Sequence, residues 1–353
     1  MNRALQPSKK EFFTMAENKR ITRLVALLLA LCCLLPAAAL ADEETEQLFA
    51  QRLAELKTPA QLGAESGEYQ LRTGNSAYFP HVSPGVIPFD QMAETPLPAP
   101  EGTFSSDNES VVTVSENGLM TAVAPGIAVV RWQSPEGEKA VTVTVGDDLI
   151  SEIGKNYVYV LNREYYSVAR ERLPRYNQYA KWYYRKKKEV GWCAVFTIYC
   201  ANAAGFDPLE EKEIDPEQPY TDVYFREGQV GNQYDGFRKL DRWVGIPKPG
   251  YTVTYVDMKK AYLTTHVGSI VAVEDRGDGV YAITTVEGNM SNTVKRYTYL
   301  YDSKLSNHEI TTDTRKHLQY NMSMLPEAEH TDPLSQYELH TDHWAVFGFG
   351  ATW

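Results

Sequence analysis

Residues 191–206 read GWCAVFTIYCANAAGF, a helical pattern that starts at Cys193 and is closed by Gly205. A glycine just past the last helical residue is a C-cap signal, because it adopts the left-handed conformation without a Cβ clash. Before it, residues 158–190 (VYVLNREYYSVARERLPRYNQYAKWYYRKKKEV) form a Tyr- and Arg-rich helical stretch. After it, beyond a less regular segment at 207–249, the period becomes strand-like: YTVTYVDM (251–258), THVGSIVAVED (265–275), VYAITTVEG (280–288) and VKRYTYLY (294–301). WAVFGFG (344–350) is a late strand whose apolar continuity fits a buried position. Helices first and an antiparallel sheet afterwards give an α+β order for a domain spanning 148–353. Between Asp302 and His343 lies a polar stretch without periodicity, longer than an ordinary loop.

Upstream the chain changes character twice. LVALLLALCCLLPAAAL (24–40) is uncharged, follows Lys19, Arg20 and Arg23, and exits through Ala39-Leu40-Ala41. These features predict a signal peptide over residues 1–41, so that the mature protein is secreted or wall-associated and keeps no membrane span. Met15 offers an alternative start. Residues 42–57 carry Leu48, Phe49, Leu53 and Leu56 on one stripe, an amphipathic helix. Prolines interrupt the pattern from Thr58 to Pro100, and 42–87 is expected to be a helical and irregular lead-in. In SSDNESVVTVSENGLMTAVAPGIAVVRW (105–132), short β-branched runs are separated by Asn-Gly and Pro-Gly turns, the pattern of a small antiparallel sandwich. The stretch resembles the bacterial Ig-like group 2 domain over residues 88–147, which implies a spacer or a surface-binding unit.

The 353 residues carry 35 Lys plus Arg against 46 Asp plus Glu, a net charge of −11. Without residues 1–41 the balance is 29 to 44. Such acidity makes a nucleic-acid groove a poor expectation. Two cysteines remain, Cys193 and Cys200, seven apart on one helix and so about 10 Å along its axis. That exceeds the usual span of a disulfide, about 4.4 to 6.8 Å between Cα atoms.

Chemistry gathers around the first of them. A thiol in the first turn of a helix feels unpaired N–H groups and the positive end of the helix dipole, both of which favour thiolate. Cys200, two turns deeper, has neither advantage and reads as a small buried hydrophobe. The strand from His266 to Glu274 can pair with Val280 to Asn289 across a Gly-rich turn. With Glu274 facing Val280, His266 faces Gly288, and Glu287 and Asn289 flank it on one strand face. A helix-start thiolate, an imidazole and a polar group that orients it are the ingredients of cysteine acyl transfer, with the Cys193 N–H as an oxyanion donor.

The segments YNQYAKWYYRKKKEVGWCAVFTIYCANAAGF (176–206), IPKPG (246–250), THVGSIVAV (265–273) and TTVEGN (284–289) resemble successive blocks of the CHAP family of cysteine, histidine-dependent amidohydrolases/peptidases. The resemblance implies a papain-like catalytic domain that cleaves amide bonds in peptidoglycan, with Cys193 as nucleophile, His266 as base, Glu287 as the orienting acid and Asn289 assisting the site. The sequence departs from the family in three places: Tyr251 follows Gly250 where Asp is usual, Tyr199 replaces a common Trp, and 302–343 has no counterpart.

His330, His340, Asp342 and His343 lie in a polar stretch without regular ligand spacing, so no metal is expected and they read as a solvated loop. Arg185-Lys186-Lys187-Lys188 reads as a wet helix face able to touch anionic polymer, and Trp182, Tyr183 and Tyr184 could line a substrate groove. No phosphate cradle is visible, and no cofactor is expected. The expectation is therefore an exported peptidoglycan amidase or endopeptidase of α+β class preceded by an Ig-like sandwich. The alternative is a wall-binding protein with weak or lost activity.

Overall fold

The computed structural model describes residues 43–92, 98–169, 171–215, 217–260 and 264–353. The expected signal peptide, residues 1–41, lies outside them. The chain divides into two compact units between Ala54 and Glu55. The described part of the first, residues 43–54, lies in helix α1 (residues 43–55), on which Leu48 and Phe49 are the sheltered positions.

The second unit opens with α2 (Pro59–Ser66), held at its start by a reciprocal capping box between Thr58 and Gln61. Seven strands follow: β1 (Glu68–Arg72), β2 (Ser76–Tyr78), β3 (Thr103–Ser106), β4 (Val112–Val114), β5 (Leu119–Ala122), β6 (Gly126–Ser134) and β7 (Gly137–Gly146). They make two sheets, ordered β1-β7-β6-β3 and β2-β5-β4. Leu71, Phe79, Val112, Met120, Val130 and Val141 are buried in their common core. The sandwich thus begins at Glu68, ahead of the expected boundary at 88, and the supposed irregular lead-in supplies two strands. β1 lies parallel to β7 with Leu71 opposite Val145, and β2 pairs with β5. Strands of five and three residues are too short for alternation to stand out, so their placement comes from the partner strand.

The rest of the unit mixes helices with a second sheet. α3 (Glu152–Val168) and α4 (Gln178–Tyr184) are each capped by a side chain, Ser151 and Asn177. α5 (Cys193–Ala204) is buried along nearly its whole length and ends at Gly205, φ 103°, as its sequence predicts. α6 (Val230–Lys239) and β8 (Trp243–Val244) follow. Then come β9 (Thr252–Asp257), β10 (His266–Asp275), β11 (Val280–Met290), β12 (Thr293–Asp302), β13 (Met322–Ser323) and β14 (Trp344–Gly350). The sheet has the order β13-β12-β11-β10-β9-β14-β8, with every neighbouring pair antiparallel. α5 packs against β10 and β11. Where Asp would follow Gly250, Tyr251 packs on Trp353 at 5.1 Å, and backbone bonds from Gly250 to Ile270 and from Ile270 to Tyr251 hold the turn.

Residues 303–343 contain three short 3-10 turns and β13. The segment is stitched to the sheet at a bulge. The β14–β9 register shifts between Val346 and Gly348. There the Val346 N–H donates to Asn321 Oδ1 (3.0 Å), and its carbonyl accepts from Asn307 Nδ2 and Asn321 Nδ2 (2.9 Å each). Both asparagines are buried, so they satisfy backbone groups that water does not reach. Asn321→Ala removes partners from both groups of Val346, and about 2–4 kcal/mol of stability should be lost in urea unfolding.

Candidate active site

Cys193 is the first residue of α5 and is partly exposed, whereas Cys200 is buried; both are free thiols. Trp192, the N-cap, makes no side-chain cap bond, so the first turn keeps its N–H groups for other uses. The Trp192 indole is wholly buried, stacked on Tyr179 at 5.6 Å and set edge-on to Phe196, and this packing fixes where the helix begins. The Cys193 thiol and the His266 imidazole act on one another electrostatically, each shifting the other's pKa. Burial alone would raise that of the thiol. The interaction with His266, the imidazolium charge and the N–H groups of Ala194 and Val267 outweigh burial and lower it. Burial pushes Cys200 far up, with the Glu164 charge adding to it.

His266 opens β10 opposite Tyr255 of β9. Its Nε2 lies 3.0 Å from Glu287 Oε2, which leaves Nδ1 for the thiol. Burial pulls the imidazole down, but hydrogen bonds and charge from Cys193 and Glu287 lift it to about 10. Glu287 is completely buried. Its Oε1 accepts from the Tyr255 hydroxyl and from Thr285 Oγ1, both at 2.6 Å. Tyr299 in turn bonds the Tyr255 hydroxyl at 2.9 Å. Burial would raise the carboxyl, and the nearby His340, the hydrogen bonds from both histidines and the charge of His266 depress it far below the usual range.

Two glycines make room for this arrangement. A Cβ on Gly268 would meet Glu287 Cγ at 2.6 Å, and one on Gly288 would meet Phe196 Cβ at 2.5 Å. Glycine at these positions therefore lets the carboxylate lie over one strand and the helix lie against the other.

The hairpin register differs from the expected one. Glu274 pairs with Ala282 rather than Val280, because the turn uses left-handed residues at Gly277, Asp278 and Gly279. A shift between Ile270 and Ala272 takes back one position, so that Ser269 pairs with Val286. Glu287 contacts His266 diagonally from the same strand face. Asn289 is not the group on the imidazole nitrogen. It sits in the bulge after Glu287 with φ 64°, and its amide faces Gly191, two residues before the thiol.

His340 corrects the solvated-loop expectation. Its side chain is 1% exposed, and its Nε2 lies 2.8 Å from Glu287 Oε2. The sequence signal was absent, since only the strand order β10-β9-β14 brings the residues before Trp344 to this place. His330 instead stacks on Tyr337 at 4.0 Å, and His343 pairs with Asp342 at 2.6 Å. Among the described residues no group of three or more His, Cys, Asp or Glu is placed to hold a metal ion, and no helix is long and apolar enough to cross a membrane. The basic run 185–188 is exposed but follows α4 rather than lying on it, with Arg185 at φ 53° as the C-cap. Tyr184 is half-buried, its phenol raised by burial and by the Cys193 charge, and Lys188 sits over its ring at 4.4 Å.

In the native protein Cys193 should be alkylated by iodoacetamide about a hundredfold faster than Cys200, which should react only on unfolding. The Cys193 rate should stay high below the ordinary thiol value of 9.0 and change again near 10 as His266 loses its proton. Mass spectrometry of the alkylated peptides across pH checks both points. Equal labelling of the two thiols would contradict the assignment.

Residues 91–145 match the family model described as bacterial Ig-like domain (group 2), inside the first sandwich. No match to the CHAP family is found, and no curated protein matches the chain. The chain therefore contains a bacterial Ig-like domain (group 2), joined in one compact unit to a helix-and-sheet region that carries the Cys193, His266 and Glu287 cluster.

Proposed function

We propose that the protein is an exported cysteine amidohydrolase or peptidase with a papain-like catalytic region, acting on an amide bond of peptidoglycan. The single observation that carries this reading is the chain of groups from the Cys193 thiol, whose pKa His266 lowers, through His266 to the buried Glu287, 3.0 Å from its Nε2. Such a chain supplies a nucleophile, a base and a group that fixes the imidazole. In the first step the Cys193 thiolate attacks the amide carbonyl, and the first-turn N–H groups of α5 receive the developing oxyanion. His266 then gives its Nδ1 proton to the leaving amine, and a water activated by the same nitrogen hydrolyses the thioester. Glu287 keeps Nε2 protonated and the ring turned towards sulfur.

Peptidoglycan as substrate rests on the motif resemblance and on the Ig-like module. The exposed cations at 185–188, close in sequence to the nucleophile, suit an anionic wall polymer. Export rests on the leader-like residues 24–41.

Purified peptidoglycan digested with the protein should release free amines, and mass spectrometry of the fragments identifies the bond cut. Cys193→Ala and His266→Ala should abolish release while pelleting with the wall is retained. Glu287→Gln should lower kcat by roughly two to four orders of magnitude, since an amide in place of the carboxylate no longer stabilises the imidazolium. Wild type that binds walls but releases no amines would favour a wall-binding protein, and undiminished cleavage by Cys193→Ala would overturn the mechanism.

A further inference from the structure

Glu287 has more partners than a thiol–imidazole–carboxylate chain requires. Its Oε2 is shared by two imidazoles, His266 at 3.0 Å and His340 at 2.8 Å. An ionised carboxylate only accepts hydrogen bonds, so each ring must donate from Nε2–H. The Nδ1 of His340 is buried and has no hydrogen-bond partner. His340 thus donates to the carboxylate from Nε2 alone, and its ring is held by Tyr297 at 4.2 Å, Tyr255 at 4.6 Å and Trp344 at 5.5 Å.

We propose that His340 is a positioning residue for the nucleophile: carried by the 303–343 segment, it holds Glu287 ionised and turned towards His266, and so sustains the thiolate of Cys193. The proposal rests on reading Cys193, His266 and Glu287 as the catalytic groups. The other groups facing the carboxylate are Tyr255 of β9, Thr285 of β11, and Tyr297 and Tyr299 of β12. Lys295 pairs opposite Glu287 on β12, and Glu338 acts on Tyr297 from the irregular segment. The three phenols are all raised, mainly by burial, and stay neutral through the working range. Among the described residues, the only donor to Oε2 besides His266 itself is His340. Without it the buried carboxyl takes up a proton at higher pH, and His266 then loses the charge that keeps it an imidazolium facing the thiolate.

The test measures Cys193 alkylation by iodoacetamide from acid to alkaline pH in the full chain, comparing wild type with His340→Phe and His340→Gln. Phenylalanine keeps an aromatic ring among Tyr255, Tyr297 and Trp344 but removes the donor; glutamine supplies an N–H without a ring. His340→Phe should move the acid limb of the profile up by about one pH unit, roughly tenfold slower labelling on that limb, with an unchanged alkaline plateau. His340→Gln should restore the wild-type limb. A His340→Phe profile that overlays wild type, or one lowered equally at every pH, would overturn the proposal, as would failure of glutamine to rescue. If His340→Phe does not fold, His340→Gln against His340→Met, of similar length with and without the donor, decides the same point. Alkylation needs no substrate, so a protein inert towards peptidoglycan defeats the amidase reading without touching this one.

Discussion

A carboxylate shut away from water is tolerated only when its oxygens are supplied with donors, and Glu287 is such a group. Tyr255 comes from β9, His266 from β10, Thr285 from β11 and His340 from the segment before β14. Three adjacent strands and an irregular excursion must therefore be in register for the charge to be stable at all. The same condition explains Gly268, where any side chain would occupy the space of the Glu287 side chain. The cost of burying the charge is offset by donors that also define the geometry of the imidazole.

That geometry meets the helix at one point. α5 is buried on nearly every side and packs on β10 and β11, with Phe196 and Trp192 lying against Gly288. Tyr157 of α3 ties helix and sheet together, its hydroxyl reaching Ser269 Oγ at 2.7 Å and the Thr197 carbonyl at 3.3 Å. With both ends of the contact fixed, the thiol at the start of α5 is delivered to the imidazole at the start of β10. On the proposed reading, pre-organisation of this kind would place the reacting groups before any substrate arrives.

The Ig-like sandwich is not loosely tethered. The Tyr69 hydroxyl donates to both oxygens of Glu152 at 2.7 and 2.9 Å, and the Lys155 ammonium reaches the Gln70 carbonyl at 2.7 Å. Both contacts join β1, the strand outside the stretch matched by the family model, to the first turns of α3. The early strands thus serve as the coupling between the two regions as well as completing the sandwich.

The sequence by itself determined the helix from Cys193 to its glycine cap, the long strands of the second sheet and the turn-separated strands of the sandwich, and it singled out Cys193, His266 and Glu287 as candidates. Those features are local: a C-cap glycine, alternation over ten residues and compact motifs are written within a few positions of one another. Tertiary structure alone decided the rest. The hairpin register depends on a turn with successive left-handed residues and on a compensating shift, neither of which alternation reveals. β1 and β2 acquire their strand form from β7 and β5. His340 reaches Glu287 because β14 lies beside β9 and because two asparagines pin the intervening segment to a bulge. A polar segment without periodicity carries no sign of such an anchorage, since its partners are backbone groups that exist only once the sheet has formed.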